Sequence, residues 1–407
     1  MSGPIIICDK STIQGLNRDE AFWLGTHYRM NLVPIFFTEV LADLSKRLPE
    51  GRSAEHMVAT IAEKTSGIRA LPNVFHGTLV LGDLLGHAVK MNRVPVIPTG
   101  KVVETADGKK GMFFEQPPET IAMQRWASGD FFGIEREYAA AWRQALEGLD
   151  LKAAATAVCG DEAPKFRDLG QVKLAAERIA EGRGCRMRTL KTALQVLSVP
   201  SPYRDRIIDR WKILGGPRLG EFAPYADYVF RVEIFFHLGM AARKIATTRP
   251  SHRTDIAYLF YLPFCEVFSS CDRFHAQSVP YFLRSDQVFI DGQELKTDLA
   301  SLVRHYEGLP ELIREKGAMA YAPYPPVDAN YLTSRLYDRF RPGWRKHAAN
   351  PIQITPELSD RIARQLKPLL DAIEAGKGRA PVSPEEGEQN EVHSFELRRR
   401  QGRWKRF

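Results

Sequence analysis

The run Pro4-Ile5-Ile6-Ile7-Cys8 ends at Asp9, and a second apolar run, Cys265-Glu266-Val267-Phe268-Ser269-Ser270, stops just short of Asp272. Both are too short for helices and rich in β-branched or aromatic residues, so each reads as a buried strand. Buried strands of this kind belong to parallel sheets covered on both faces. If the two share one sheet, more than two hundred residues must leave it and return between them. The pattern therefore predicts an α/β core carrying a large insertion.

The rest of the chain can be placed around these runs. Residues 19–27 read as a short helix, and 35–48 as a strongly apolar one stopped by Pro49 and Gly51. Ser53 caps a helix over 54–65, and 78–92 reads as another. From Val94 the pattern changes. Segments 94–98 and 101–104 are strand-like, and Asp107-Gly108 before 111–114 signals a hairpin. Residues 118–244 are mainly helical, with a loop near 214–217. Asp255 then opens a helix-like segment over 256–262, and a final strand is expected near 287–290. Helices are expected over 294–306, 308–317 and 356–375, with a proline-rich connector at 321–326. The resulting division is a core in two halves (1–92 and 246–293) and an inserted subdomain (93–245). A helical extension (294–375) and a disordered linker with a basic tail (376–407) follow.

Composition restricts the partners. Hydrophobic residues make up 44% of the chain and charged ones 26%, as in ordinary globular proteins. No stretch approaches the roughly 20 apolar residues of a membrane span. Five scattered cysteines with no CxxC pair point away from a disulfide framework or zinc cluster and toward a reducing cytoplasm. The net charge of +8 favours an anionic partner such as nucleic acid. Part of that charge lies in the tail, which is read either as a frayed terminus or as an arm along a phosphate backbone, with Trp404 stacking on a base. The arginine-rich stretches 183–188 and 204–210 either line a nucleic-acid groove or form solvated helix faces.

Four acids carry the chemistry. Asp9 and Asp272 follow the two strands, Glu39 sits in an apolar helix, and Asp255 begins another. Acids at the carboxyl ends of parallel strands face the crevice where α/β proteins bind ligands. Gathered there, carboxylates repel one another unless a hard cation joins them, and oxygen donors suit Mg²⁺ or Mn²⁺. A strand ending in Asp9-Lys10-Ser11, a helix bearing Thr38-Glu39, Asp255 at a helix start and Ser270-Cys271-Asp272 after a strand together resemble the PIN-domain nucleases. Lys10 stands where that family usually has a small hydroxyl residue, and the insertion exceeds its usual spacing.

The resemblance implies a PIN-like three-layer fold around a mostly parallel sheet. It also implies a metal-dependent ribonuclease whose ligands are Asp9, Glu39, Asp255 and Asp272. Ser11, Thr38, Ser270 and Asp43 would support these acids, and Lys10, Arg273 and His275 would contact RNA. A protein partner or a second copy is also compatible. Two other readings stand beside this one. The first is an inactive PIN-like module that binds RNA or protein, with the Lys10 ammonium neutralising the acids in place of metal. The second is an aspartyl phosphotransferase of the haloacid-dehalogenase type with Asp9 as nucleophile, although Ser11 departs from that motif.

Overall fold

The computed structural model describes residues 3–51, 53–65, 70–97, 100–104, 110–114, 116–160, 164–182, 184–327 and 330–349. Beyond these it describes 360–361, 364, 367–368, 371, 378–379, 391–392, 400–401 and 403–405. Seven strands come first in chain order: β1 (Ile5–Cys8), β2 (Arg29–Leu32), β3 (Ala70–Pro72), β4 (Gly100–Glu104), β5 (Lys110–Phe114), β6 (Val267–Ser270) and β7 (Val288–Asp291). Five of them form one sheet in the order β3-β2-β1-β6-β7, with every pairing parallel. The fold is thus α/β with a central parallel sheet, compatible with three layers.

The two apolar runs lie side by side. Ile6 pairs with Val267, Ile7 with Phe268 and Cys8 with Ser269. β1 is buried along its whole length, as a strand covered on both faces must be. At its start, the backbone N–H of Ile5 donates to Glu266 Oε2 at 2.8 Å, and Arg341 grips the same carboxylate with two bonds of 2.8 Å. The buried charge of Glu266 is therefore paired, as burial requires.

Helices α1 (Lys10–Gly15) and α2 (Arg18–His27) follow β1, α3 (Pro34–Ala42) and α4 (Ala54–Thr65) follow β2, and α5 (His76–Leu85) follows β3. After β4 and β5 come α6 (Pro118–Ala127), α7 (Gly133–Glu147), α8 (Leu151–Cys159), α9 (Leu169–Glu181), α10 (Arg186–Val196) and α11 (Ser201–Ile213). Next are α12 (Leu219–Phe222), α13 (Pro224–Ala241), α14 (His252–Leu259), α15 (Arg273–Ser278) and α16 (Gly292–Glu307). The long helix α13 is buried nearly all round and packs against α5, α8, α9 and α14. The inserted segment thus shares the main core.

Several sequence expectations need correction. β2 and β3 escaped the sequence reading because they are only four and three residues long and carry Arg29, Asn31 and Pro72. Asn31 is tolerated in the sheet because its amide donates to the carbonyl of Phe264 at 2.9 Å. The helix expected over 78–92 ends at Leu85, where Gly86 adopts a left-handed φ of 103°. The segment 94–97 is irregular, although Val96 accepts a hydrogen bond from the Val74 N–H. β4 and β5 form the expected antiparallel hairpin, outside the central sheet. Its turn at 107–108 and most of the helix expected over 356–375 lie outside the described residues. In place of a helix over 308–317 there are two single turns, Glu311–Arg314 and Ala318–Tyr321. Part of the expected linker is ordered, since Gly378–Arg379 and Glu391–Val392 pair with β4 and β5. Among the described residues no helix is long and apolar enough to cross a membrane.

The tail is also anchored. Trp404 is 2% exposed, its ring stacking on Phe22 at 5.8 Å and meeting Trp23 edge-on at 4.9 Å. Arg403 bonds Asp19 at 2.9 Å, and Lys405 bonds Glu315 at 3.1 Å. A ring buried in this way cannot stack on a base, which overturns that use of Trp404. Replacing a buried Trp by Ala costs about 3 kcal/mol or more. Trp404→Ala should therefore lower the midpoint of urea unfolding by an equivalent amount, measured against wild type.

Candidate acidic site

The strand order places β1 at a switch point. From β1 the chain winds outward through β2 to β3, then returns to the opposite side of β1 as β6 and β7. Ligands of open parallel sheets bind beyond the carboxyl ends of the strands at such a point. Asp9 and the Ser270-Cys271-Asp272 segment flank it, because β1 and β6 pair with Cys8 opposite Ser269.

Asp9 is 4% exposed and caps α1, its Oδ1 accepting the Thr12 N–H at 2.9 Å. The Ser11 hydroxyl lies 2.7 and 2.9 Å from the two carboxylate oxygens, and Ser270 Oγ donates to Oδ2 at 2.7 Å. Ser11 and Ser270 thus support Asp9 as expected from sequence. Asp272 caps α15 by accepting the Phe274 N–H at 2.6 Å, and its own N–H donates to Ser270 Oγ at 2.9 Å. Glu39 lies on α3 and accepts the Tyr258 hydroxyl at 2.5 Å. Asp255 sits within the first turn of α14, whose cap position is Ser251. It is therefore not the capping residue.

His275 departs most from expectation. It is 1% exposed, so it is an internal group and not the nucleic-acid contact expected from sequence. Its Nδ1 lies 2.8 Å from Ser270 Oγ and 3.5 Å from Asp9 Oδ2, and its Nε2 lies 2.8 Å from the backbone carbonyl of Asp255. The carbonyl can only accept, so Nε2 carries a proton. Ser270 gives its single proton to the Asp9 carboxylate, so Nδ1 must donate as well. The ring is an imidazolium.

The electrostatics agree. Burial alone would lower the His275 pKa, but the hydrogen bond to Asp9 and the charges of Asp9 and Asp255 raise it to about 9. Burial works to raise Asp9, yet His275, Ser11 and Thr12 together hold it below the usual carboxylate range. Glu39 is raised by burial and by Asp9, against the opposing pull of Lys10 and Tyr258. Asp255 is raised to about 7 by burial and then by Glu39, Asp272 and Asp9, with His275 opposing. Asp9, Glu39 and Asp272 thus all lie near enough to Asp255 for their charges to act on it.

Other expected residues fall elsewhere. Lys10 pairs with Asp43 at 3.0 Å, and Lys46 reaches the same oxygen at 2.8 Å, so Asp43 is a buried ion-pair partner. Lys10 therefore neutralises Asp43 rather than Asp9. Thr38 donates to the carbonyl of Pro34 in its own helix at 3.3 Å and supports none of the acids. Arg273 is exposed at the first position of α15. Sequence reasoning missed Tyr258, although it lies one helical turn from Asp255 on α14 and so shares its face.

The donor set can be tested for a cation. Both oxygens of Asp255 and one oxygen each of Glu39 and Asp272 accept no hydrogen bond among the described residues. All are hard oxygen donors suited to Mg²⁺ or Mn²⁺. Among the described residues, however, no three acid, His or Cys side chains already form a metal-holding group. A cation would require these carboxylates to turn toward a shared point.

The chain matches no protein-family model, no curated protein and no solved structure.

The sign of the pH dependence follows from the raised groups. A folded-state carboxyl near 7 resists ionisation that occurs near 4 in the unfolded chain, so it costs stability increasingly from pH 4 to 7. Asp255→Asn should therefore raise the melting temperature without divalent metal, with a gain that grows over this window and levels off above pH 7. His275 contributes stability that is complete below about pH 6.5 and lost as pH rises through about 9. Differential scanning calorimetry of both proteins between pH 4 and 9 measures the two effects.

Proposed function

We propose that the chain is a divalent-metal-dependent phosphodiesterase acting on RNA, built on a PIN-like core. What supports this reading is that Asp9 and Asp272 flank the switch point and, with Glu39, lie near enough to Asp255 for their charges to help hold it near 7. Such crowding costs stability unless a cation or a proton relieves it, and perturbed acids in a crevice mark functional sites. Glu39, Asp255 and Asp272 would hold Mg²⁺ or Mn²⁺ through their unspent oxygens, with Asp9 facing the same ion. When bound, such an ion polarises the scissile phosphate and lowers the pKa of a water.

The chain's own groups do the remaining work. Tyr258 fixes the rotamer of Glu39, while Ser11 and Ser270 hold Asp9 from either side. The buried His275 imidazolium offsets one negative charge, so the acids can stay together before an ion arrives. Arg273, exposed beside Asp272, offers a planar fork of donors to a substrate phosphate.

A second reading is an inactive module of the same fold. It is favoured by the internal cation already present at Asp9 and by the lack of a preformed metal-holding group among the described residues. Labelled single-stranded RNA separates the two. The nuclease reading expects cleavage with Mn²⁺ that EDTA abolishes and that falls at least a hundredfold in Asp9→Asn/Asp272→Asn. Cleavage unaffected by chelator or by the double substitution, or absent from wild type, rejects it.

A further inference from the structure

Apart from the basic tail, the excess positive charge of the chain is concentrated in one stretch. Residues 184–218 contain eight Lys and Arg against two Asp, a net +6 within a chain of +8. This stretch is α10, α11 and the loop that follows, none of which contributes to the acidic site. Its cations are ordered in an unusual way. Arg186 donates to the carbonyl of Gly216 at 3.2 Å, Arg204 to that of Val199 at 2.7 Å, and Arg210 to that of Leu84 at 3.1 Å. A carbonyl fixes a guanidinium without cancelling its charge, and each guanidinium retains further donors; Arg210 alone also faces a carboxylate, that of Asp83.

The remaining cations are equally unspent. Among the described residues, Arg188, Lys191, Arg206 and Arg218 are exposed and form no ion pair, and only Lys212 is paired, with Asp209 at 3.1 Å. Gly215 and Gly216, both with positive φ, turn the chain at the end of α11 and bring Gly216 back to Arg186. Arg206 and Arg210 border a shallow, open depression of about 650 Å³ along α11, completed by Asp209, Ile213 and Leu214. Ile213 is 84% exposed there.

We infer that the α10–α11 face binds the phosphate backbone of single-stranded RNA, which rests on the nuclease reading and assigns the surface that holds its substrate. Anchored guanidinium groups such as Arg186 and Arg204, set among exposed unpaired cations, suit phosphates, because the fork pairs two donors with two phosphate oxygens. A run of such groups suits a polyanion, whose binding is driven by counterion release. Ile213 and Leu214 offer apolar contact to sugars and base faces in the same depression.

Binding can be measured in EDTA, so it does not depend on cleavage. Fluorescence anisotropy with labelled single-stranded RNA would compare the wild type with Arg188→Gln/Lys191→Gln/Arg206→Gln/Arg218→Gln. These side chains are exposed and unpaired, so the variant should melt as the wild type does. The expected result is at least tenfold weaker binding. The slope of log K against log salt should be shallower by about 2 to 3, at roughly 0.7 per lost phosphate contact. Equal affinity and slope in the two proteins would overturn the assignment, as would a wild type that binds no RNA. Vesicles containing anionic phospholipid provide the other arm. If they capture the wild type but not the variant while RNA is not bound, the surface belongs to a membrane and the inference fails. Loss of cleavage in the wild type with RNA binding intact would reject the nuclease reading alone.

Discussion

Everything proposed for this chain depends on the parallel pairing of β1 with β6. The bonds are ordinary, but they join residues about 260 positions apart and bring two acid-bearing strand ends together. Without that pairing, Asp9 and Asp272 are two helix caps on separate pieces of chain. With it, Ser270 reaches across the strand boundary to Asp9 and becomes a node shared with Asp272 and His275. The pairing is secured at its other end, where Glu266 takes the Ile5 N–H and Arg341 neutralises it.

The charge at the site is balanced on two levels. An internal imidazolium meets Asp9, and the ammonium groups of Lys10 and Lys46 meet Asp43 one turn along the chain from Glu39. These pairs leave the Asp255 carboxyl with no hydrogen-bonding partner among the described residues, and its acidic neighbours Glu39, Asp272 and Asp9 press against the one opposing charge of His275. An unrelieved carboxyl of this kind lowers the stability of the fold, a cost that functional sites commonly carry. The serine hydroxyls and Tyr258 restrict how far Asp9 and Glu39 can move apart.

Much of this arrangement was legible in the sequence, for identifiable reasons. The Ile-rich run before Asp9 and the Val-Phe run before Ser270 carry enough apolar side chain to declare buried strands, and their terminal acids could be read as a pair. Glu39 stood out because its helix is apolar almost all round. The strands β2 and β3 were not legible, because Arg29-Met30-Asn31-Leu32 and Ala70-Leu71-Pro72 lack alternation and are specified by the sheet they join. His275 was misjudged because burial depends on how α15 packs, through Phe274 against Phe236 and His252, which no local pattern records. Trp404 was misjudged for the same reason. Its partners Phe22 and Trp23 lie at the other end of the chain.

The position of β1 in the sheet order also governs how the molecule comes into being. The first strand made is the central one, and its second neighbour is not made until residue 270. While the insertion is still being added, the β1–β2–β3 fragment lacks the native partner of its β1 edge. Contacts across so many residues are slow to form, and open apolar edges invite association with other chains. In the folded chain α13 packs against α5, α8, α9 and α14, all of which precede β6 in sequence. The long detour between the two halves of the site therefore contributes its own helices to the core that β6 and β7 complete.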